Sequence, residues 1–152
     1  MKTVLVVLAL ALAIGGCNKQ AFPETKHGGE MSHAVIEPYL KIQDALSQDS
    51  TDGIRQNAGE IATAATALGA PAMKIDTAAV QLAAAGDLED ARAKFGTLSE
   101  AIDTYMKGFD LKPPQGVSVA YCPMAQKPWL QEGRALANPY YGKSMPTCGE
   151  FR

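Results

Sequence analysis

Apolar residues recur every three or four positions through the middle of the chain, and turn residues cut this recurrence into four stretches. The first predicts a helix from about Glu37 to Gln48, with Tyr39, Ile42 and Leu46 on one face and Val35 extending the spacing backward. Pro38 suits its first turn, where no backbone N–H is required. The second stretch runs from about Asp52 to Leu68, and Ile54, Ala58, Ile61, Ala65 and Leu68 alternate by four and three. Gly69 and Pro71 break it. The third spans about Ala72 to Ala85 with Ile75, Ala79 and Leu82 inward, and Gly86 ends it. Asp87 is placed to cap the fourth, in which Leu88, Ala91, Phe95, Leu98, Ile102, Tyr105 and Phe109 hold the period until Gly108 and Pro113-Pro114. Short connections make neighbouring helices antiparallel, so the expected fold is all-α, an up-down antiparallel four-helix bundle.

The tail departs from this period. Residues 111–152 carry Trp129, Tyr121, Tyr140, Tyr141, Cys122 and Cys148 among frequent prolines. Val117 to Tyr121 reads as a short strand or extended segment. Trp129 to Leu136 reads as a short helix stopped at Asn138-Pro139. Together they form an irregular cap over the bundle.

The amino terminus is of another kind. Met1 and Lys2 precede an apolar run from Val4 to Ile14, then Gly15, Gly16 and Cys17. The run is shorter than the roughly 20 residues a bilayer span needs, and it suits a secretory signal with small residues at the cleavage point. Ile14-Gly15-Gly16-Cys17 resembles a lipobox. That resemblance implies lipid on the Cys17 thiol, cleavage before Cys17 and acylation of the new amino group. Asn18 then implies sorting to the outer membrane, with the domain facing the periplasm. The organisation expected is a signal peptide at 1–16, a lipidated tether at 17–32, and a single domain at 33–152, divided into a bundle (33–110) and a cap (111–152). Pro23, Lys26, Gly28, Gly29 and Glu30 interrupt any apolar period in the tether. His27, Met31 and His33 lie at its end and could feed a metal site, although nothing in the sequence fixes their geometry.

Composition narrows the function. Removal of residues 1–16 from the 152 leaves 136, enough for one domain with a real core. The net charge of -2 gives no basic footprint for nucleic acid. No G-x-S-x-G, H-E-x-x-H or Gly-rich phosphate loop occurs, so the chain does not read as an enzyme. Asp87, Glu89, Asp90 and Asp103 read as helix caps and solvated faces.

The candidate chemistry is sulfur. Cys122-Pro123-Met124 and Met145-Pro146-Thr147-Cys148 each pair a thiol with a thioether, in mirrored order. Thiolates and thioethers select Cu(I) over harder ions. In an extended C-x-M, residues i and i+2 share a side, and a turn brings i and i+3 of M-x-x-C together. A metal set of Cys122, Met124, Met145 and Cys148 is one reading. A Cys122–Cys148 disulfide, stabilising by about 3 kcal/mol, is the other. An oxidising compartment favours the disulfide and the sulfur clustering favours the metal, and the residues alone leave both open. Trp129, Tyr140 and Tyr141 read first as anchors pinning the tail to the bundle.

Tyr121-Cys122-Pro123-Met124, Trp129-Leu130-Gln131, Asn138-Pro139-Tyr140-Tyr141-Gly142-Lys143-Ser144-Met145 and Cys148-Gly149 resemble an uncharacterised helical domain family. Upstream, Tyr39-Leu40, Ala45-Leu46, Ala91-Arg92, Phe95 and Leu98-Ser99 look similar to it as well. This tail is shorter between Met124 and Trp129 than in many relatives, which carry a Gly-rich insertion there. The family occurs as free-standing lipoproteins and appended to the periplasmic adaptor subunits of copper and silver efflux systems. The resemblance implies an envelope lipoprotein that binds Cu(I) or Ag(I) through Cys122, Met124, Met145 and Cys148 in metal handling or efflux, with components of an efflux system as partners. The competing expectation is a disulfide-stabilised interaction module docking on an envelope partner without metal.

Overall fold

A computed structural model describes residues 28–152. Among these the four expected helices form: α1 (His33–Ser47), α2 (Ile54–Leu68), α3 (Met73–Ala83) and α4 (Leu88–Gly108). Helix α1 begins four residues earlier than its periodicity predicts, so Pro38 lies inside it. Burial of Val35 and Ile36 offsets the one backbone bond that Pro38 cannot make. Pro71 opens a single 3-10 turn (Ala70–Ala72) that leads into α3. Asp87 caps α4 as expected, its carboxylate accepting the Asp90 N–H at 2.9 Å.

The expectation of an all-α fold is wrong. The described residues also form two small sheets, and the molecule is a mixed α/β fold. Strand β1 (Gly29–Glu30) pairs in parallel with β2 (Leu111–Lys112), directly after α4. Strands β3 (Val117–Cys122), β4 (Lys127–Glu132) and β5 (Glu150–Phe151) form an antiparallel sheet of order β4-β3-β5. The helix expected at Trp129–Leu136 is therefore replaced, in its first half, by a strand. Its sequence hides this because both faces are covered. Trp129, Leu130 and Gln131 are all buried, so the polar-apolar alternation that marks a half-exposed strand is missing. The i, i+2 geometry is nevertheless visible in a side-chain bond, Trp129 Nε1–H to Gln131 Oε1 at 2.9 Å.

The helices pack in chain order, α1 on α2, α2 on α3 and α3 on α4, while β4 lies against both α4 and α1. At this junction Tyr39 of α1 stacks on Phe95 of α4, with ring centroids 4.8 Å apart. The Tyr39 hydroxyl is 2.7 Å from Ser99 Oγ and accepts the Leu130 N–H at 3.2 Å. Ser99 donates its own proton to the Phe95 carbonyl, so Tyr39 is the donor to Ser99. Burial pushes the Tyr39 phenol far above its ordinary pKa and keeps that proton in place. One side chain thus ties two helices to the sheet.

The segment before α1 is held as well. Gly28 N–H reaches Phe109 O at 3.0 Å, Met31 N–H reaches Lys112 O at 2.9 Å, and the Met31 side chain is fully buried. The last residues of the tether read from sequence thus lie against the end of α4.

Candidate functional site

The two cysteines come together where the sheet meets the C-terminal segment. Cys122 is the last residue of β3 and shares the inward face with Ala120. A four-residue loop follows, and Gln126 closes it in the left-handed region at φ 55°. Cys148 stands just ahead of β5, which pairs back on β3 through Ala120↔Phe151 and Tyr121↔Glu150. This pairing brings Cys148 beside Cys122, 26 positions away, with the two Sγ atoms 3.8 Å apart and both thiols free. A disulfide requires about 2.05 Å.

Amide N–H groups converge on this pair. Ala125 N–H donates to Cys122 Sγ at 3.4 Å, and the Met124 amide faces the Cys148 sulfur. The hairpin loop thus turns two successive amides onto the two sulfurs. A third donor is the side chain of Asn138, whose Nδ2 lies 3.3 Å from Cys122 Sγ. Burial pushes the Cys148 thiol pKa up, the neighbouring Cys122 sulfur adds to the rise, and the Met124 amide opposes it. Two thiolates this close repel one another, and a shared cation removes that repulsion.

The other expected sulfur residues are placed differently. The Met124 side chain is 60 % exposed and faces solvent. Met145 is half-buried, its carbonyl accepting the Cys148 N–H at 3.3 Å. Met31 belongs to the core, and the exposed His33 side chain lies 3.8 Å from Glu37. His27 and Cys17 lie outside the described residues. Among the described residues no group of three or more His, Cys, Asp or Glu side chains comes together. No helix among them is long and apolar enough to cross a membrane.

The aromatic residues act as the anchors expected of them. Tyr140 joins Phe95 at 6.0 Å and Trp129 edge-on at 6.1 Å, and its hydroxyl donates to the Pro128 carbonyl. Beside Tyr140, Arg92 of α4 donates from Nε to Pro139 O at 3.0 Å and from Nη2 to Leu46 O at 3.1 Å. Arg92 also pairs with Asp49 at 2.5 Å, and Asp49 accepts the Lys143 N–H at 3.3 Å.

A family described as "Protein of unknown function (DUF3347)" matches residues 35–113, just over half of the chain. The chain belongs to this family. The matched DUF3347 segment takes in α1 from Val35 onward, the other three helices and β2, and stops short of the sulfur pair. Neither curated proteins nor solved structures give a match. The contacts nevertheless join the DUF3347 helices to the tail residue by residue. Arg92 meets Pro139, Phe95 meets Tyr140, and Tyr39 meets Leu130. Two glycines of the tail pattern gain a reason in this packing. A Cβ on Gly142, which sits at φ 52°, would fall 1.9 Å from Asp49 Oδ1, and one on Gly149 would fall 2.4 Å from Trp129 Cη2. Sequence reasoning missed Asn138 as a sulfur neighbour, because Asn-Pro reads as turn chemistry. It also missed the loop amides, which only the hairpin orients.

Proposed function

We propose that this chain is an envelope lipoprotein whose C-terminal cap binds one soft metal ion, Cu(I) or Ag(I), between Cys122 and Cys148. The observation that carries this reading is the pair of free thiols 3.8 Å apart with N–H donors directed at both sulfurs. Thiolate pairs select soft ions, and amide bonds to sulfur balance the negative charge that such a site keeps once loaded. Met145, three residues before Cys148 and half-buried, is the thioether we assign a third bond, and Met124, two residues after Cys122, stands exposed at the rim. The ion is cargo, taken up and passed on in metal handling or efflux, and components of an efflux system are the partners this implies. Lipid on Cys17 anchors the chain to the outer membrane. Ten residues separate Cys17 from Gly28, so the domain works within about 40 Å of its anchor.

Competition titration of reduced protein against a Cu(I) chelator tests the site. Cys122→Ser and Cys148→Ser each nearly abolish binding. Met145→Leu and Met124→Leu weaken it by smaller factors, because leucine keeps the volume but donates nothing. Unchanged affinity in both cysteine variants refutes the metal reading. Absence of free thiols in native protein, with no metal uptake after reduction, supports a disulfide-locked interaction module instead.

A further inference from the structure

Asn138 is fully buried, and both ends of its side-chain amide are engaged. Oδ1 accepts the Tyr140 N–H at 2.8 Å and the Tyr141 N–H at 3.3 Å. Only the oxygen of an amide can accept from two backbone N–H groups. Its orientation is therefore fixed, and the end that faces the cysteines is the NH2. Nδ2 donates to the Cys148 carbonyl at 2.5 Å and lies 3.3 Å from Cys122 Sγ. The backbone of the same residue is also tied, N–H to Pro146 O at 2.8 Å and C=O to Gly142 N–H at 3.0 Å. One side chain thus touches both cysteine residues while the loop from 138 to 146 wraps around it.

We infer that Asn138 is the positioning residue of the sulfur site, holding Cys148 in register with Cys122 and directing an N–H onto the Cys122 sulfur that a bound soft cation would share. The inference rests on the metal reading above and adds a residue that ligates nothing. Two separate effects follow. The bond to the Cys148 carbonyl sets the spacing of the two sulfurs before an ion arrives, which lowers the ordering needed on binding. The N–H toward Cys122, with Nδ2 3.3 Å from the sulfur, fixes the direction in which that sulfur presents its remaining lone pairs to an ion. A turn-forming Asn alone requires only the oxygen half of this arrangement.

Asn138→Asp separates the two halves. The carboxylate still accepts from Tyr140 and Tyr141 but has no N–H for the sulfur or the Cys148 carbonyl. Asn138→Ser is the second variant, able to cap the turn and too short to reach the sulfur. Tyr140→Phe is the control, because it loosens the same segment by removing the bond to Pro128 and leaves the sulfur contacts intact. Reduced protein is titrated with Cu(I) from a competing chelator at a temperature where melting curves show each variant folded. The expected result is a loss of about ten-fold or more in affinity for Asn138→Asp and Asn138→Ser, the scale of removing an outer hydrogen bond to a metal ligand. Their sulfur-to-metal charge-transfer absorption moves to longer wavelength, because a sulfur without its N–H bond gives up electron density more readily. Tyr140→Phe lowers the melting temperature and leaves affinity and absorption at wild-type values. If folded Asn138 variants bind within two-fold of wild type with an unshifted band, the positioning role is refuted while the metal site stands. If wild-type protein itself takes up no Cu(I), the site and this inference fall together.

Discussion

Gly149 sits between Cys148 and β5, and adding a single methyl group there tests how tightly the sulfur segment is packed. Its Cβ would lie 2.4 Å from Trp129 Cη2, 3.1 Å from Cζ3 and 3.1 Å from the Tyr121 carbonyl oxygen. Carbon atoms in favourable contact stand about 3.5–4.0 Å apart, so ring and backbone must separate by about 1 Å. Trp129 has little freedom to yield, being 1 % exposed and bonded through Nε1 to Gln131. Overpacking of this kind costs about 1–3 kcal/mol. For a folded unit of this size that corresponds to about 3–6 °C in Tm per kcal/mol. Thermal melting of Gly149→Ala should show this loss, and a double-mutant cycle with Trp129→Phe identifies its source. A phenylalanine ring lacks the Cη2 and Cζ3 positions, so Gly149→Ala in that background should cost below about 1 kcal/mol, the residue of the carbonyl contact alone. A Tm within 1 °C of wild type for Gly149→Ala would refute the close approach. An equal loss in both backgrounds would show that the indole is not its cause.

Other expectations follow from the same packing. Leu98 is fully buried on α4, and Leu98→Ala should lower unfolding free energy by about 2–5 kcal/mol in denaturant titration; a loss below about 0.5 kcal/mol would move α4 out of the core. The hydrogen bond from Arg92 holds the Asp49 carboxyl below its ordinary range, so the unfolded chain takes up this proton first as pH falls. The stability this pair contributes is complete above the ordinary aspartate pKa of about 3.9 and disappears as pH drops through the lower folded value. Asp49→Asn should therefore lower Tm near neutral pH, with the difference from wild type shrinking below about pH 4. A difference that stays constant across that range would mean the charge is not what matters. Cys17→Ser should release the protein from membranes and block incorporation of labelled fatty acid; incorporation in the variant would overturn the lipidation reading.

The helices were legible from local pattern because each buries one stripe, and Ile61, Ala65, Leu82, Leu98 and Ile102 announce that stripe at the helical period. The Asp87 cap was legible for the same reason, since its hydrogen bond closes within three residues. The two cysteines could be nominated together from residue type, but not oriented. Strand β4 was not legible. Its ladder partners lie in β3 and both its faces are covered, so the signal a strand leaves in its own sequence was erased by the tertiary packing that makes it one. Cys122 and Cys148 meet because β5 returns to β3, a long-range pairing that no local spacing encodes. Asn138 follows the same logic. A turn explains its oxygen from sequence, while the partner of its NH2 is fixed only when two distant segments close around it.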